Sequence, residues 1–303
     1  MLSLTGRKNS IAQNNITAEE ISEFNIFNRI VTIFLCMFFL FSVTDILNIF
    51  FPPLCPICGT FMPAGWSSVF RRGLFGWSPL LPCVNCVSLL VTPEKYICPR
   101  CGGVRKRFDF DKPDCNRCRN LIFKFRRAIV LGEYEGELRS IVLRMKTDKS
   151  GFYARTLSAL LLRDRSKFLD GLFDLVVPVP IHRKRRWWRG VNSPDLIANE
   201  ISRGLQIPVS LDAIKRTKET TLQFHLSDQA RLQNVTGAFA INPKRMKLLK
   251  GKRILLIDDI LTTGATCNEI SKLLKKAGAK NITVCAIARA VGNIDNEKTP
   301  TTK

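Results

Sequence analysis

Residues 254–266 read ILLIDDILTTGAT, and this stretch decides the fold. Residues 254–257 are an unbroken apolar run, as expected of a strand buried on both faces. Two carboxylates, Asp258 and Asp259, close that strand. Thr262, Thr263, Gly264, Ala265 and Thr266 then lead into a helix predicted over 266–276. In open α/β sheets, ligands sit at the carboxyl ends of the strands, which is where this loop falls. Small residues let backbone N–H groups approach an anion, the helix N-terminus adds its dipole, and threonine hydroxyls can donate as well. The loop therefore suits a phosphate. The two aspartates suit a sugar diol, whose hydroxyls donate to carboxylate acceptors. Phosphate donors beside diol acceptors describe a ribose 5-phosphate. The plainer alternative is a pair of strand-end aspartates followed by an ordinary strand-to-helix turn.

Working outward, the same alternation recurs. Residues 128–134, 174–180 (DLVVPVP) and 282–288 read as strands. Residues 136–145, 154–163 and 193–203 read as helices, the last opened by Ser193-Pro194. Strands separated by amphipathic helices predict an α/β fold with a mostly parallel sheet flanked by helices. The polar tail 293–303 is expected to fray.

Upstream, the chemistry changes. Eight of the eleven cysteines form four C-x-x-C pairs within residues 55–118: Cys55/Cys58, Cys83/Cys86, Cys98/Cys101 and Cys115/Cys118. Two such pairs complete a tetrahedral site of four thiolates, so two structural Zn2+ sites are expected in a small module over 55–120. A disulfide scaffold is the alternative, and it fits poorly with the enzyme-like remainder of a chain expected to be cytoplasmic. Cys36, Cys267 and Cys285 lie in apolar or helical contexts and are expected in the core. Trp66, Trp77 and several phenylalanines between the first two pairs could pack as a satellite cluster.

Residues 1–54 form an extension containing an apolar stretch, 30–51, interrupted by Asp45 and stopped by Pro52-Pro53. It reaches membrane-spanning length only by tolerating that aspartate. A helix packed on the body or held at a membrane surface is expected, with a membrane anchor, or a start at Met37, as alternatives. The acidic flank and missing cleavage site argue against a signal peptide.

The ordinary apolar content excludes wholesale disorder and a multi-span membrane protein. The net charge of +22 attracts polyanions, and it arises entirely beyond residue 54, since the extension holds three cations against four acids. The densest basic segment is His182 followed by Arg183, Lys184, Arg185, Arg186, Trp187, Trp188 and Arg189. Its cations could clamp a diphosphate while its indoles stack on bases of single-stranded DNA; a solvated loop with docked tryptophans is the alternative. Lys146 reads either as a substrate-contacting cation or as a surface lysine. Lys272, Lys275 and Lys276 read as a solvated helix face.

The pattern at 254–266, four apolar residues, two acids, an apolar pair and T-T-G-x-T, resembles the signature of type I phosphoribosyltransferases. Pro52-Pro53-Leu54-Cys55, Tyr134-x-Gly136-x-Leu138-Arg139, Val177-Pro178-Val179-Pro180, Arg189-Gly190-x-Asn192 and Gln223-x-x-Leu226 stand in order ahead of it. So does Arg231-x-x-Asn234-Val235-x-Gly237-Ala238-Phe239. Together they resemble the ComF family of phosphoribosyltransferase-like proteins over about residues 45–290. The resemblance implies a phosphoribosyltransferase-like domain over 121–292 behind a double zinc ribbon, with Cys55/Cys58 joined to Cys83/Cys86 and Cys98/Cys101 to Cys115/Cys118. It implies phosphoribosyl diphosphate with Mg2+ as ligand. Asp258 and Asp259 would hold the ribose hydroxyls and act in catalysis, and residues 262–266 would bind the 5-phosphate. Arg189 and Asn192 would lie near the cleft. It also implies a role in natural transformation, with single-stranded DNA and a competence helicase or processing protein as partners. Two departures are Val191 and Ser193 around the R-G-x-N motif, and Thr147-Asp148 where the family has an aromatic and glycine; both bear on an acceptor pocket. No glutaminase domain is visible.

Overall fold

The computed structural model describes residues 54–62, 81–105, 115–116, 118–169, 171–181, 192–218 and 235–290. The chain divides into two units, Met1–Pro53 and Leu54–Lys303, and the first lies wholly outside the described residues. The readings of 30–51, Cys36 and Met37 fall there. The basic segment 182–191, His225, most of the insertion at 61–82 and the tail 293–303 are likewise outside the described residues.

In the described part, α1 (Val84–Leu90) lies in the cysteine-rich segment. It is followed by β1 (Arg127–Glu133), α2 (Gly136–Thr147), α3 (Phe152–Asp164), the short α4 (Ser166–Leu169) and β2 (Leu175–Pro178). Then come α5 (Ser193–Leu205), β3 (Ile214–Arg216), β4 (Phe239–Ile241), α6 (Met246–Leu249), β5 (Arg253–Leu261), α7 (Ala265–Lys276) and β6 (Asn281–Arg289). The main sheet has the order β1-β6-β5-β2, every pairing parallel. A two-stranded antiparallel ribbon, β3-β4, sits apart from it.

Side-chain alternation along β5 explains why its sequence is apolar without a break. Leu255 and Ile257 enter one core with α2, α3 and α5, whereas Ile254 and Leu256 enter the other with α7 and the β3-β4 ribbon. A strand covered on both faces has no wet side to alternate with. β5 differs from expectation in length: it continues past Asp258 and Asp259 to Leu261, because β6 runs alongside and pairs Asp258 with Ala286, Ile260 with Ala288 and Leu261 with Arg289. The two acids therefore stand on sheet backbone instead of closing the strand. The β3-β4 ribbon was not legible, its three-residue strands being too short to show a period.

The cysteine-rich segment builds two matching knuckles. Cys55 N–H donates to Thr60 O at 2.9 Å and Gly59 N–H to Cys55 O at 2.9 Å, and a Leu54–Phe61 bridge closes the turn. Cys98 N–H donates to Gly103 O at 2.8 Å and Gly102 N–H to Cys98 O at 2.9 Å, closed by Ile97–Val104. This segment is fastened to the main sheet. Thr92 N–H donates to Leu131 O at 3.1 Å, and a Cβ on Gly132 would lie 2.8 Å from Leu90 O, a backbone approach only glycine permits. Arg165, buried at the end of α3, donates from Nε to Val130 O at 2.9 Å and from Nη2 to Leu131 O at 2.9 Å and Thr92 O at 2.6 Å. One guanidinium thus ties the cysteine segment to β1.

Candidate functional site

The acid pair sits in the carboxyl half of β5, just past the point where its neighbour β2 ends. Because consecutive residues of a strand face opposite ways, Asp258 and Asp259 project toward different layers. Asp258 meets α7: the Cys267 thiol donates to Asp258 Oδ2 at 3.5 Å. Asp259 meets α2: Lys146 Nζ lies 3.3 Å from Asp259 Oδ2, both side chains about four-fifths buried. The pair also organises its own backbone, with Asp259 N–H donating to Asp258 Oδ1 at 2.9 Å and Ile260 N–H to Asp259 Oδ1 at 2.7 Å. Burial, and then the neighbouring Asp259 carboxylate, push Asp258 up to about 8. Burial, followed by the Asp258 carboxylate, pushes the Cys267 thiol well up, which keeps it a donor.

Five residues after Asp259, Gly264 takes the left-handed conformation (φ 82°) as N-cap of α7, a turn that disfavours any side chain. Ala265 N–H donates to Thr263 Oγ1 at 3.2 Å. Thr262, Thr263 and Thr266 are half-buried, and Gly264 and Ala265 buried, so the loop presents hydroxyls and backbone over a packed base. The structure thus brings all seven residues 258, 259 and 262–266 to one end of the sheet. Beside them, Pro178 of β2 pairs with Ile257 and Val179 N–H donates to Ile257 O at 2.8 Å, so β2 ends one residue short of the acid pair. Of the diphosphate and DNA candidates, only Asn192 is described. It is buried at the N-cap of α5, and its Oδ1 has no partner among the described residues.

Lys146 and Cys267 were visible in the sequence as types, but their contact with the acids was not. Arg289, the buried end of β6, was missed outright; its Nη1 donates to Leu261 O at 2.9 Å and secures the end of β5. Asp148, one of the two replaced positions after Lys146, is committed elsewhere. It accepts from Ser150 N–H at 2.9 Å, Ser150 Oγ at 2.6 Å and Tyr153 N–H at 3.1 Å, fixing the start of α3.

The eight paired cysteines gather as two groups of four, Cys55, Cys58, Cys83 and Cys86, and Cys98, Cys101, Cys115 and Cys118, the sulfurs in each within 4.8 Å of one another. Individual separations are 3.8 Å for Cys58–Cys83 and Cys98–Cys118, 3.7 Å for Cys115–Cys118 and 3.5 Å for Cys101–Cys115. Metal–sulfur bonds of about 2.3 Å in a tetrahedron require edges of about 3.8 Å, whereas a disulfide requires about 2.0 Å. The donor sets fit a tetrahedral thiophilic cation. Backbone donors already point at the sulfurs, from Cys83 N–H to Cys55 Sγ at 3.3 Å and from Gly103 N–H to Cys101 Sγ at 3.4 Å. Cys267 and Cys285 are buried in the two main layers, as expected.

A family model described as a phosphoribosyl transferase domain matches residues 196–302. Competence protein F of Haemophilus influenzae is 32% identical over 222 residues, spanning 69% of this chain and 96% of that protein. DNA utilization protein YhgH of Escherichia coli (strain K12) is 30% identical over 203 residues, spanning 65% of this chain and 86% of that protein. Competence protein ComFC of Streptococcus pneumoniae is 26% identical over 208 residues, spanning 68% and 87% respectively. No helix among the described residues is long and apolar enough to cross a membrane.

Proposed function

Since the chain belongs to the ComF family of competence proteins and joins a phosphoribosyl transferase domain to two four-cysteine clusters, we propose that it binds phosphoribosyl diphosphate and handles single-stranded DNA during DNA uptake. In this reading residues 1–54 are an extension, 55–120 a double zinc ribbon and 121–292 the phosphoribosyl-binding domain, with 293–303 a polar tail. The names of the relatives, concerned with competence and DNA utilization, support the biological setting.

The observation that carries the ligand is the acid pair followed, five residues after Asp259, by the glycine cap of a helix at the carboxyl end of a parallel sheet. Asp258 and Asp259 accept from the ribose 2- and 3-hydroxyls. The hydroxyls of Thr262, Thr263 and Thr266, with the first amides of α7, donate to the 5-phosphate. Mg2+ would arrive with the diphosphate and neutralise its charge. The eight clustered cysteines would hold two Zn2+ ions as structural sites. Arg183, Lys184, Arg185, Arg186, Trp187, Trp188 and Arg189 would supply cations and indoles for diphosphate or DNA.

Catalytic transfer is the second reading, favoured by Lys146. Its ammonium, paired to Asp259 in the free protein, is freed when the ribose hydroxyls take that carboxylate, and it then stands near the departing diphosphate. An acceptor nitrogen would form the new bond to C1 as the C1–oxygen bond to diphosphate breaks, the diphosphate leaving with the electron pair.

Calorimetry with phosphoribosyl diphosphate, with and without Mg2+, tests the first reading. Binding that disappears in Asp258→Asn/Asp259→Asn supports it, and no heat with the unaltered chain sinks it. Diphosphate release in the presence of candidate acceptors tests the second.

A further inference from the structure

At the end of the sheet opposite the acid pair, the starts of β5 and β6 are laced into one double turn. Lys280 N–H donates to Lys252 O at 2.9 Å, Gly251 N–H to Gly278 O at 2.8 Å, and Lys275 Nζ to Lys280 O at 2.9 Å. A Cβ on Gly278 would stand 3.3 Å from Lys250 Cγ. Lys250, Lys252, Lys275 and Lys280 therefore rise from one small area, flanked by Lys247 on α6 and Lys276 in the last turn of α7, and all six are exposed. The carboxylates at its rim are already engaged: Asp174 with Arg253 at 2.7 Å, Asp212 with Arg245 at 2.9 Å and Glu269 with Lys272 at 2.9 Å. Among the described residues none of the six lysines lies in a close ion pair with a carboxylate, and only Lys252, toward Asp174, and Lys276, toward Glu269, feel an acid at longer range.

Six like charges gathered around one turn repel one another and are largely uncompensated by nearby acids, so they call for an external polyanion. From Lys252 to Asp259 the strand rises seven residues, about 23 Å, so the platform is no part of the ribose-phosphate site. α6 exposes Met246 and Leu248 but has only four residues, too few to lie in a membrane interface as an amphipathic helix, so charge dominates what this surface offers. We infer that the platform docks the phosphate backbone of single-stranded nucleic acid, without regard to base sequence. The inference rests on the DNA reading above and adds to it a second contact surface, made of described residues. Lysine ammoniums suit that task because each is a point charge that needs no fixed orientation toward a phosphate.

The test is fluorescence anisotropy with a labelled oligothymidylate across a salt series, comparing the full chain with Lys250→Gln/Lys252→Gln/Lys280→Gln. Each phosphate contact on a single strand contributes about 0.7 to the slope of log affinity against log salt. The triple variant should lose about 2 from that slope and on the order of 100-fold in affinity at 0.1 M salt, with its melting temperature and phosphoribosyl diphosphate binding unchanged. An unchanged slope overturns the platform while leaving the DNA reading standing. No binding by the unaltered chain at low salt fells the DNA reading and the platform with it. Unchanged DNA affinity with lost binding to phosphatidylserine vesicles overturns the platform in favour of a membrane partner.

Discussion

Asp258 is a buried carboxyl whose ionisation is displaced into the neutral range. Burial and Asp259 raise it from 3.8 to about 8, so the folded chain keeps this carboxyl protonated over a range in which the unfolded chain has lost the proton. Between about pH 4 and pH 8 the native state holds the extra proton, and stability must fall as pH rises across that window. Asp258→Asn removes the dependence. Its melting temperature should exceed that of the unaltered chain by little at pH 4.5 and by most at pH 8.5, a gap on the order of a few kcal/mol. Parallel melting curves across that range would refute the raised value. On the proposed reading the ribose hydroxyls donate best to an ionised carboxylate, so affinity for ribose 5-phosphate should climb over the upper half of the same window; titration at pH 6 and pH 8.5 measures it. The two acids were legible in the sequence because strand, acids and small-residue loop are contiguous. Their partners were not, since Lys146 reaches Asp259 from α2, more than a hundred residues upstream, and no local pattern encodes that meeting.

At the level of elements, the sheet was readable and its attachments were not. β5, β6 and α7 announce themselves through unbroken apolar runs and a helical period, so the expected bounds fall within a few residues of those observed. The junction between the cysteine segment and β1 depends on a glycine and an arginine that look unremarkable in sequence. Arg165 is buried with all its visible bonds going to backbone carbonyls and to Asp164, and replacing it strands those carbonyls in a dry interface. Arg165→Met should cost about 3 kcal/mol or more in denaturant unfolding, because several charge-assisted bonds vanish and their acceptors stay buried. Gly132→Ala should act on the same junction through the 2.8 Å approach of Leu90 O. A loss below about 1 kcal/mol for both would mean that the cysteine segment is not held by this seam.

For the molecule as a whole, the question is whether the cysteine clusters matter to a site they do not touch. The link runs through Phe123, which packs on the Cys98–Cys118 group and whose ring lies 3.4 Å from where a Cβ on Gly264 would be. Phe123 stacks on Phe125 with centroids 4.6 Å apart, and Lys124 N–H donates to Asn268 Oδ1, in the first turn of α7, at 2.6 Å. Phe123 and its neighbours Lys124 and Phe125 thus join the second cluster to the glycine that caps α7, the helix proposed to face the phosphate. A tetrathiolate cluster without its cation loses the bonds that hold its turns together, and in small modules metal binding energy is folding energy. Disorder in that cluster should therefore reach the cap of α7. The native chain is expected to hold two Zn2+ per molecule by elemental analysis. Cys98→Ser/Cys101→Ser should lower that to one and weaken ribose 5-phosphate binding, on the order of tenfold, although neither residue meets the ligand. Phe123→Ala separates the metal from the link, since it should keep two Zn2+ while weakening the same ligand. Full affinity in both variants would show that the ribose-phosphate site stands independently of the metal module, leaving the clusters to partner binding alone.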